Sequence, residues 1–257
     1  SIPIRIGFGG ALHSIFYHYK GKIYSYEREG KLRPIPMDLY YFRLLESLGI
    51  EPKDRTLELP LDQDRKDFSR QYLESLGIQS SKPLVALNPG AAFGSSKLWP
   101  PDYFSRLGDM IVQELDAQIL ILCGPGEEEL ARKIHQNMKA KDACFSTHHQ
   151  IIPLRYLGAV LRHCQLMIST DSGPRHFATA FQVPLIVLAG PIHPGYTQLA
   201  QESLVFVKED TPCAPCHKKV CPIDHPCMTR LLPEKVMVSV RSLWEKYVAG
   251  TFQGLFE

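Results

Sequence analysis

The chain has 257 residues, 44% hydrophobic and 22% charged, with a formal net charge of +2. That is ordinary globular material, enough for one large domain or one and a half, and the near-balance of charge without a basic block argues against nucleic-acid binding. No run approaches the roughly 18 to 20 apolar residues of a membrane span. The opening "SIPIRIGFGG" has neither the charged start nor the long apolar middle of a secretory signal, and it lacks an initiator Met, a first sign of a trimmed or partial chain.

In chain order, residues 1 to about 80 hold a strand-like "IPIRIGF", a stretch with Lys20, Lys22, Arg28, Lys31 and Arg33 among tyrosines, an amphipathic helix near Pro36 to Leu48, and a polar segment through Arg70. The basic stretch reads as a solvated face, with an anionic membrane surface as the alternative. From residue 82 the pattern changes. "PLVALNPG" reads as a buried strand from about Leu84, followed by a helix near Pro101 with Phe104, Leu107, Met110 and Ile111 at helical spacing. "AQILILCG" is the next strand, and Gly124 to Gly126 turn it into a helix carrying Leu130, Ile134 and Met138. A helix with Pro153 in its first turn, the strand "LMIST", the helix "GPRHFATAF" and the strand "PLIVLAG" follow. Near-continuous apolar strands are the mark of a parallel sheet buried on both faces, so the expectation is an α/β, Rossmann-like, doubly wound domain. The last helix, "LPEKVMVSVRSLWEKYV", has Val236, Val240, Leu243, Trp244 and Val248 on one face.

Ligands of open parallel sheets bind at the carboxyl ends of the strands. Three strand-to-helix loops there are rich in chemistry, Asn88 to Pro100, Ser169 to His176 and Ala189 to Thr197, and they are expected to share one crevice. In "NPGAAFGSSKLWP" small residues such as Gly90 and Ala91 let backbone amides approach a ligand, and Lys97 supplies a compact cation for a phosphate. The spacing is not that of a Walker loop, and a Gly-rich turn with a solvated lysine is the plainer alternative. In "STDSGPRH", Thr170, Asp171 and Ser172 suit a helix cap, Gly173 and Pro174 open the helix, and its amides make an anion site. His176 stands four residues after Ser172, on the same helical face; the plainer reading has Asp171 capping the helix and pairing with Arg175. In the third loop Gly190, His193 and Thr197 fit either ligand contact or turn chemistry. Glu127 is placed to accept from a ribose or sugar hydroxyl, or simply complements a helix dipole.

Of seven cysteines, Cys123, Cys144 and Cys164 read as buried free thiols. Cys213, Cys216, Cys221 and Cys227 fall close together, with His217 and His225 interleaved. Their spacing matches neither a two-knuckle zinc ribbon nor a ferredoxin run. A structural zinc site, disulfides and free thiols all stay open.

The segments "NPGAAFGSSKLWP", "GPGEEELA", "STDSGPRHFATAFQVPLIVLAGP" and "CAPCHKKVCPIDHPCM", in this order, resemble the family 9 glycosyltransferases, which include the ADP-heptose:lipopolysaccharide heptosyltransferases. The resemblance runs from about residue 3 to residue 248 and implies a GT-B fold with the nucleotide-sugar donor on the C-terminal domain. It implies a partial N-terminal, acceptor-side domain and linker over 1–80, a nucleotide-sugar-binding domain over 81–232, and a C-terminal helix over 233–257 crossing back. By position, Gly90, Ala91 and Lys97 together with Ser172 and Gly173 would hold the donor diphosphate; Asp171 and His176 would orient the donor, with Glu127 near its nucleoside or sugar. The implied activity is inverting transfer of a heptose from ADP-heptose to a lipid-linked lipopolysaccharide inner core, in the cytoplasm or at the inner face of the inner membrane, with no cofactor required for catalysis. A nucleotide-sugar-binding module without catalysis, or a different nucleotide-sugar donor, is the alternative. Arg175 departs from the family, whose members usually carry an apolar residue there. The family's general-base Asp has no counterpart in residues 1 to 80, so on the order of 100 residues of an ordinary domain are expected to lie outside this chain.

Overall fold

The computed structural model describes residues 5–8, 19–21, 27–28, 31–32, 34–46, 48–199, 201 and 203–256. Within the expected basic stretch, Lys22 and Arg33 lie outside the described residues. Contacts divide the chain into two units, Ser1–Thr56 with His193–Ala200, and Leu57–Ile192 with Gln201–Glu257.

The first unit is built from short pieces. Strands β1 (Ile6–Phe8) and β2 (Tyr19–Gly21) pair in parallel, and β3 (Glu27–Arg28) and β4 (Lys31–Leu32) pair antiparallel. The expected amphipathic helix is α1 (Met37–Glu46). Tyr40 on α1 packs its ring 4.0 Å from that of Phe8. Arg55 donates from two nitrogens to the Asp38 carboxylate, at 2.7 and 3.1 Å, and so ties the following segment to the helix.

The second unit opens with α2 (Gln63–Ser75), where Asp62 accepts from Arg65 N at 3.0 Å as the N-cap. Then come β5 (Leu84–Asn88), α3 (Pro101–Leu115), β6 (Gln118–Ile121), α4 (Glu128–Asn137), β7 (Cys144–Ser146), α5 (Leu154–Leu161), β8 (Leu166–Thr170), α6 (Pro174–Ala180), β9 (Leu185–Ala189), β10 (Leu204–Lys208), α7 (Pro226–Thr229) and α8 (Pro233–Tyr247). The six strands form one parallel sheet in the order β10-β9-β8-β5-β6-β7. Counted within the sheet this is 3-2-1-4-5-6 read from the β7 edge, the doubly wound order expected from the buried strand pattern. Every residue of β5, β6, β8 and β9 is buried. The edge strands β7 and β10 were not read from the sequence: β7 has three residues, and β10 is buried at one position only.

Two cores lie on the two faces of this sheet. One gathers α3, α4 and α8 around Trp99, Phe104, Ile134 and Val240. The other gathers α2, α5 and α6 around Tyr72, Leu73, Val160 and Ala178. Burying such side chains contributes about 1.5 to 3 kcal/mol each. Helix α2 belongs here because Phe68 stacks on Tyr156 at 3.9 Å and Tyr72 Oη donates to Gln150 O at 2.6 Å. The unit boundary therefore falls after Thr56, ahead of the residue 80 expected from sequence. Helix α8 packs on α3, where Arg241 makes two 2.8 Å bonds to Glu114. Past α8 the chain changes face: Leu255 N donates to Ser80 O at 3.1 Å, His163 Nδ1 bonds Leu255 O, and Arg70 lies over the Phe256 ring. This tail reaches residues 63–80 of the same unit.

Candidate functional site

Strand order reverses between β5 and β8, where a doubly wound sheet opens its ligand crevice. A cleft of about 520 Å³ lies there, lined by Asn88, Gly90 and Ala92 after β5, Leu122 to Pro125 and Glu127 after β6, Thr147 and Ile151 to Leu154 after β7, and Ser172 to Pro174 after β8. The two central strands are stitched at their ends. Asn88 Nδ2 donates to Ser169 Oγ at 2.9 Å and to Ser172 Oγ at 2.8 Å, while Thr170 Oγ1 donates to Gly90 O. Asn88 was not singled out from sequence, although a polar residue closing a fully buried strand was the available signal.

Four expected site residues line this cleft: Gly90, Glu127, Ser172 and Gly173. A Cβ at Gly90 would overlap the Glu127 carboxylate where it now lies. Glu127 Oε2 in turn accepts from Gly124 N at 2.9 Å, a bond within the β6 loop. One wall is apolar, from Leu122, Ile151, Ile152 and Leu157; the opposite rim is polar, from Asn88 and Ser172. Such a cleft suits a flat, partly apolar ring attached to a polar tail. Ala91, expected beside the ligand, follows Gly90 but is not among the lining residues.

Lys97, Asp171 and Arg175 form a buried cluster directly behind the Ser172 rim. Lys97 is 8% exposed, Asp171 8% and Arg175 0%. Lys97 Nζ donates to Asp171 O at 2.7 Å and to Asp171 Oδ2 at 3.0 Å, and Arg175 Nε donates to Asp171 Oδ1 at 3.0 Å. The Lys97 ammonium also lies 4.9 Å over the Phe93 ring. Asp171 thus caps no helix. The N-cap of α6 is Gly173, without a side-chain cap bond, and the helix is seven residues long, so its dipole is small. His176 keeps an exposed edge, yet desolvation of its ring, with Arg175 adding repulsion, pushes it down to about 4, so the ring is neutral at pH 7.

The model of glycosyltransferase family 9 (heptosyltransferase) matches residues 3–226. The chain belongs to glycosyltransferase family 9. It is 32% identical over 214 residues to lipooligosaccharide heptosyltransferase 2 of Campylobacter jejuni, covering 79% of this chain and 63% of that relative's length. Among solved structures, the family 9 glycosyltransferase of Veillonella parvula superposes with a TM-score of 0.76 at 20% identity, over 95% of this chain and 68% of that one. The E. coli heptosyltransferase WaaC with ADP superposes at 0.59 and 17% identity, over 90% of this chain and 62% of that one. The GT-B type fold expected from the resemblance is shown by these neighbours.

In this family 9 chain the geometry of the four clustered cysteines gives no support to the structural zinc site that their spacing left open. Among the described residues no group of three or more His, Cys, Asp or Glu is arranged to hold a metal ion. Cys227 is in the core, beside Met228 and under Gly190, whereas Cys213 is exposed. Desolvation, with Cys213, Cys216 and Cys221 nearby, pushes the Cys227 thiol up to about 11.

The cysteine segment instead braces the lysine loop. Ser96 N donates to Lys219 O at 3.0 Å, Ser96 Oγ donates to Lys218 O, and His225 Nε2 donates to Ser96 O. A Cβ at Gly94 would run into Lys219 O. The third loop is divided between the two units. Gly190 is packed on Cys227 and Met228, and His193 and Thr197 belong to the other unit. The β6 and β7 loops line the cleft.

Proposed function

We propose that the protein is an inverting heptosyltransferase that moves a heptose from ADP-heptose onto a lipid-linked lipopolysaccharide inner core, with this cleft as the donor site. The observation that supports the reading is a cleft at the sheet's switch point with an apolar wall for a base, backed by a buried lysine beside its polar rim, in a family 9 chain.

As the acceptor oxygen bonds to the anomeric carbon, the bond from that carbon to the donor phosphate breaks and the departing ADP gains negative charge. Lys97 and the Ser172–Gly173 backbone lie where that charge develops, and preorganised donors there lower the barrier most. Gly90 and Ala91 give the phosphates close access to the loop. Asp171 holds the Lys97 ammonium in place, and neutral His176 flanks the donor sugar without adding charge. Glu127, its carboxylate anchored by Gly124 N, accepts from a ribose or sugar hydroxyl. The acceptor's proton goes to a carboxylate base on the acceptor side, and the transfer itself calls for no cofactor.

Among the described residues no helix is long and apolar enough to cross a membrane. The acceptor is lipid-linked, so the reading places the enzyme in the cytoplasm, in peripheral contact with the inner face of the inner membrane. Incubation with ADP-heptose and a heptose-free inner-core acceptor tests it. ADP release with a product of inverted anomeric configuration supports the reading; donor binding without transfer replaces it with a binding module, and transfer from another nucleotide sugar only replaces the donor.

A further inference from the structure

The Lys97–Asp171–Arg175 cluster poses a charge problem. A lysine bonded at 3.0 Å to a carboxylate is a neutral pair, and a neutral pair offers an incoming diphosphate only a dipole. A second cation changes that sum. Arg175 approaches the other oxygen of the same carboxylate at 3.0 Å, and the three groups together carry one net positive charge.

Arg175 is fully buried in the first turn of α6, with its guanidinium 5.8 Å from the centre of the Phe206 ring. Asp171 already has Lys97 as a partner, and the guanidinium adds a second cation to the same carboxylate. The neighbouring His176 is neutral at pH 7 and leaves the sum unchanged.

We infer that Arg175 is a positioning residue for the donor site: by sharing Asp171 from behind, it leaves the Lys97 ammonium as net positive charge for the donor diphosphate. The inference rests on the donor-site reading given above. Arg175 itself does not contact donor. Its action is on the carboxylate, which would otherwise cancel the lysine.

The test is calorimetric titration of the chain with ADP and with adenosine, for wild type, Arg175→Met, Arg175→Lys and the double variant Asp171→Asn with Arg175→Met, each checked for folding by thermal melting. Arg175→Met is expected to weaken ADP binding on the order of tenfold, the effect of one unit charge about 10 Å away at an effective dielectric near 20, and to leave adenosine binding unchanged. Arg175→Lys, which keeps the charge, is expected to bind ADP nearly as wild type does. The double variant restores one net positive charge and is expected to recover most of the lost ADP affinity. Wild-type ADP affinity in folded Arg175→Met, an equal loss for adenosine, or no recovery in the double variant overturns the inference. If Arg175→Met does not fold, Arg175→Gln decides: it removes the charge and can still donate to Asp171, and wild-type ADP affinity in it overturns the inference. A wild-type chain that binds neither ADP nor adenosine overturns the donor-site reading and this inference together, a result distinct from all the others.

Discussion

Gly90 is the residue at which space alone sets the chemistry. Its missing Cβ is what allows the Glu127 carboxylate to lie across the β5 loop and hold Gly124 N. The far end of a glutamate is flexible, so Gly90→Ala is expected to cost less than about 1 kcal/mol of stability while turning Glu127 out of its bond. Thermal melts should be nearly unchanged and ADP affinity should fall; an affinity equal to wild type would remove Glu127 and Gly90 from the site. Asn88 works in the same region through its two serine contacts. The glycines, the serines and Lys97 were legible as a loop of small residues around a lone cation after a buried strand. The partnership of Lys97 with Asp171 was not, because the two lie on different loops that meet only once β5 and β8 pair.

Among the elements, the cysteine segment and the lysine loop act as one. Ser96 donates two bonds to the Lys218–Lys219 backbone, and Gly94 leaves room for Lys219 O. Gly94→Ala puts a Cβ against a backbone carbonyl that cannot turn away, so it is expected to cost about 1 to 3 kcal/mol, the usual scale of overpacking, and to weaken ADP binding by shifting Lys97. Urea denaturation and ADP titration of this variant read both effects; a loss of stability with unchanged ADP affinity would uncouple the loop from the site. The four central strands were legible because Leu84–Asn88 and its neighbours are apolar throughout. Helix α2 was read as a polar segment because it buries only Ser69, Tyr72 and Leu73, and a helix held by so narrow a stripe shows little periodicity. In the cysteine segment, spacing does not say that Cys227 faces the core while Cys213 is exposed.

Over the whole molecule, histidines set the response to acid. Desolvation first, then nearby cations, lowers His163, which bridges Ser69 and the Leu255 carbonyl beneath the C-terminal tail. Desolvation likewise lowers His135 and His148, and His176 is down to about 4. Each such ring is held below its unfolded value near 6.5, so the unfolded chain binds more protons in that interval and stability falls as pH drops below about 6.5. Urea midpoints at pH 7.5, 6.0 and 5.0 should decrease in that order, and a midpoint that rises toward pH 5 would show that these rings are not depressed. The sheet, its switch-point cleft and the buried charge cluster together make one claim, that this chain binds a nucleoside diphosphate through Lys97. Calorimetric titration of wild type and Lys97→Ala with ADP tests it most directly. The expected result is saturable binding that the substitution weakens by about 1.5 to 3 kcal/mol, the scale of a charged hydrogen bond; binding of equal affinity in both proteins, or none in wild type, would contradict it.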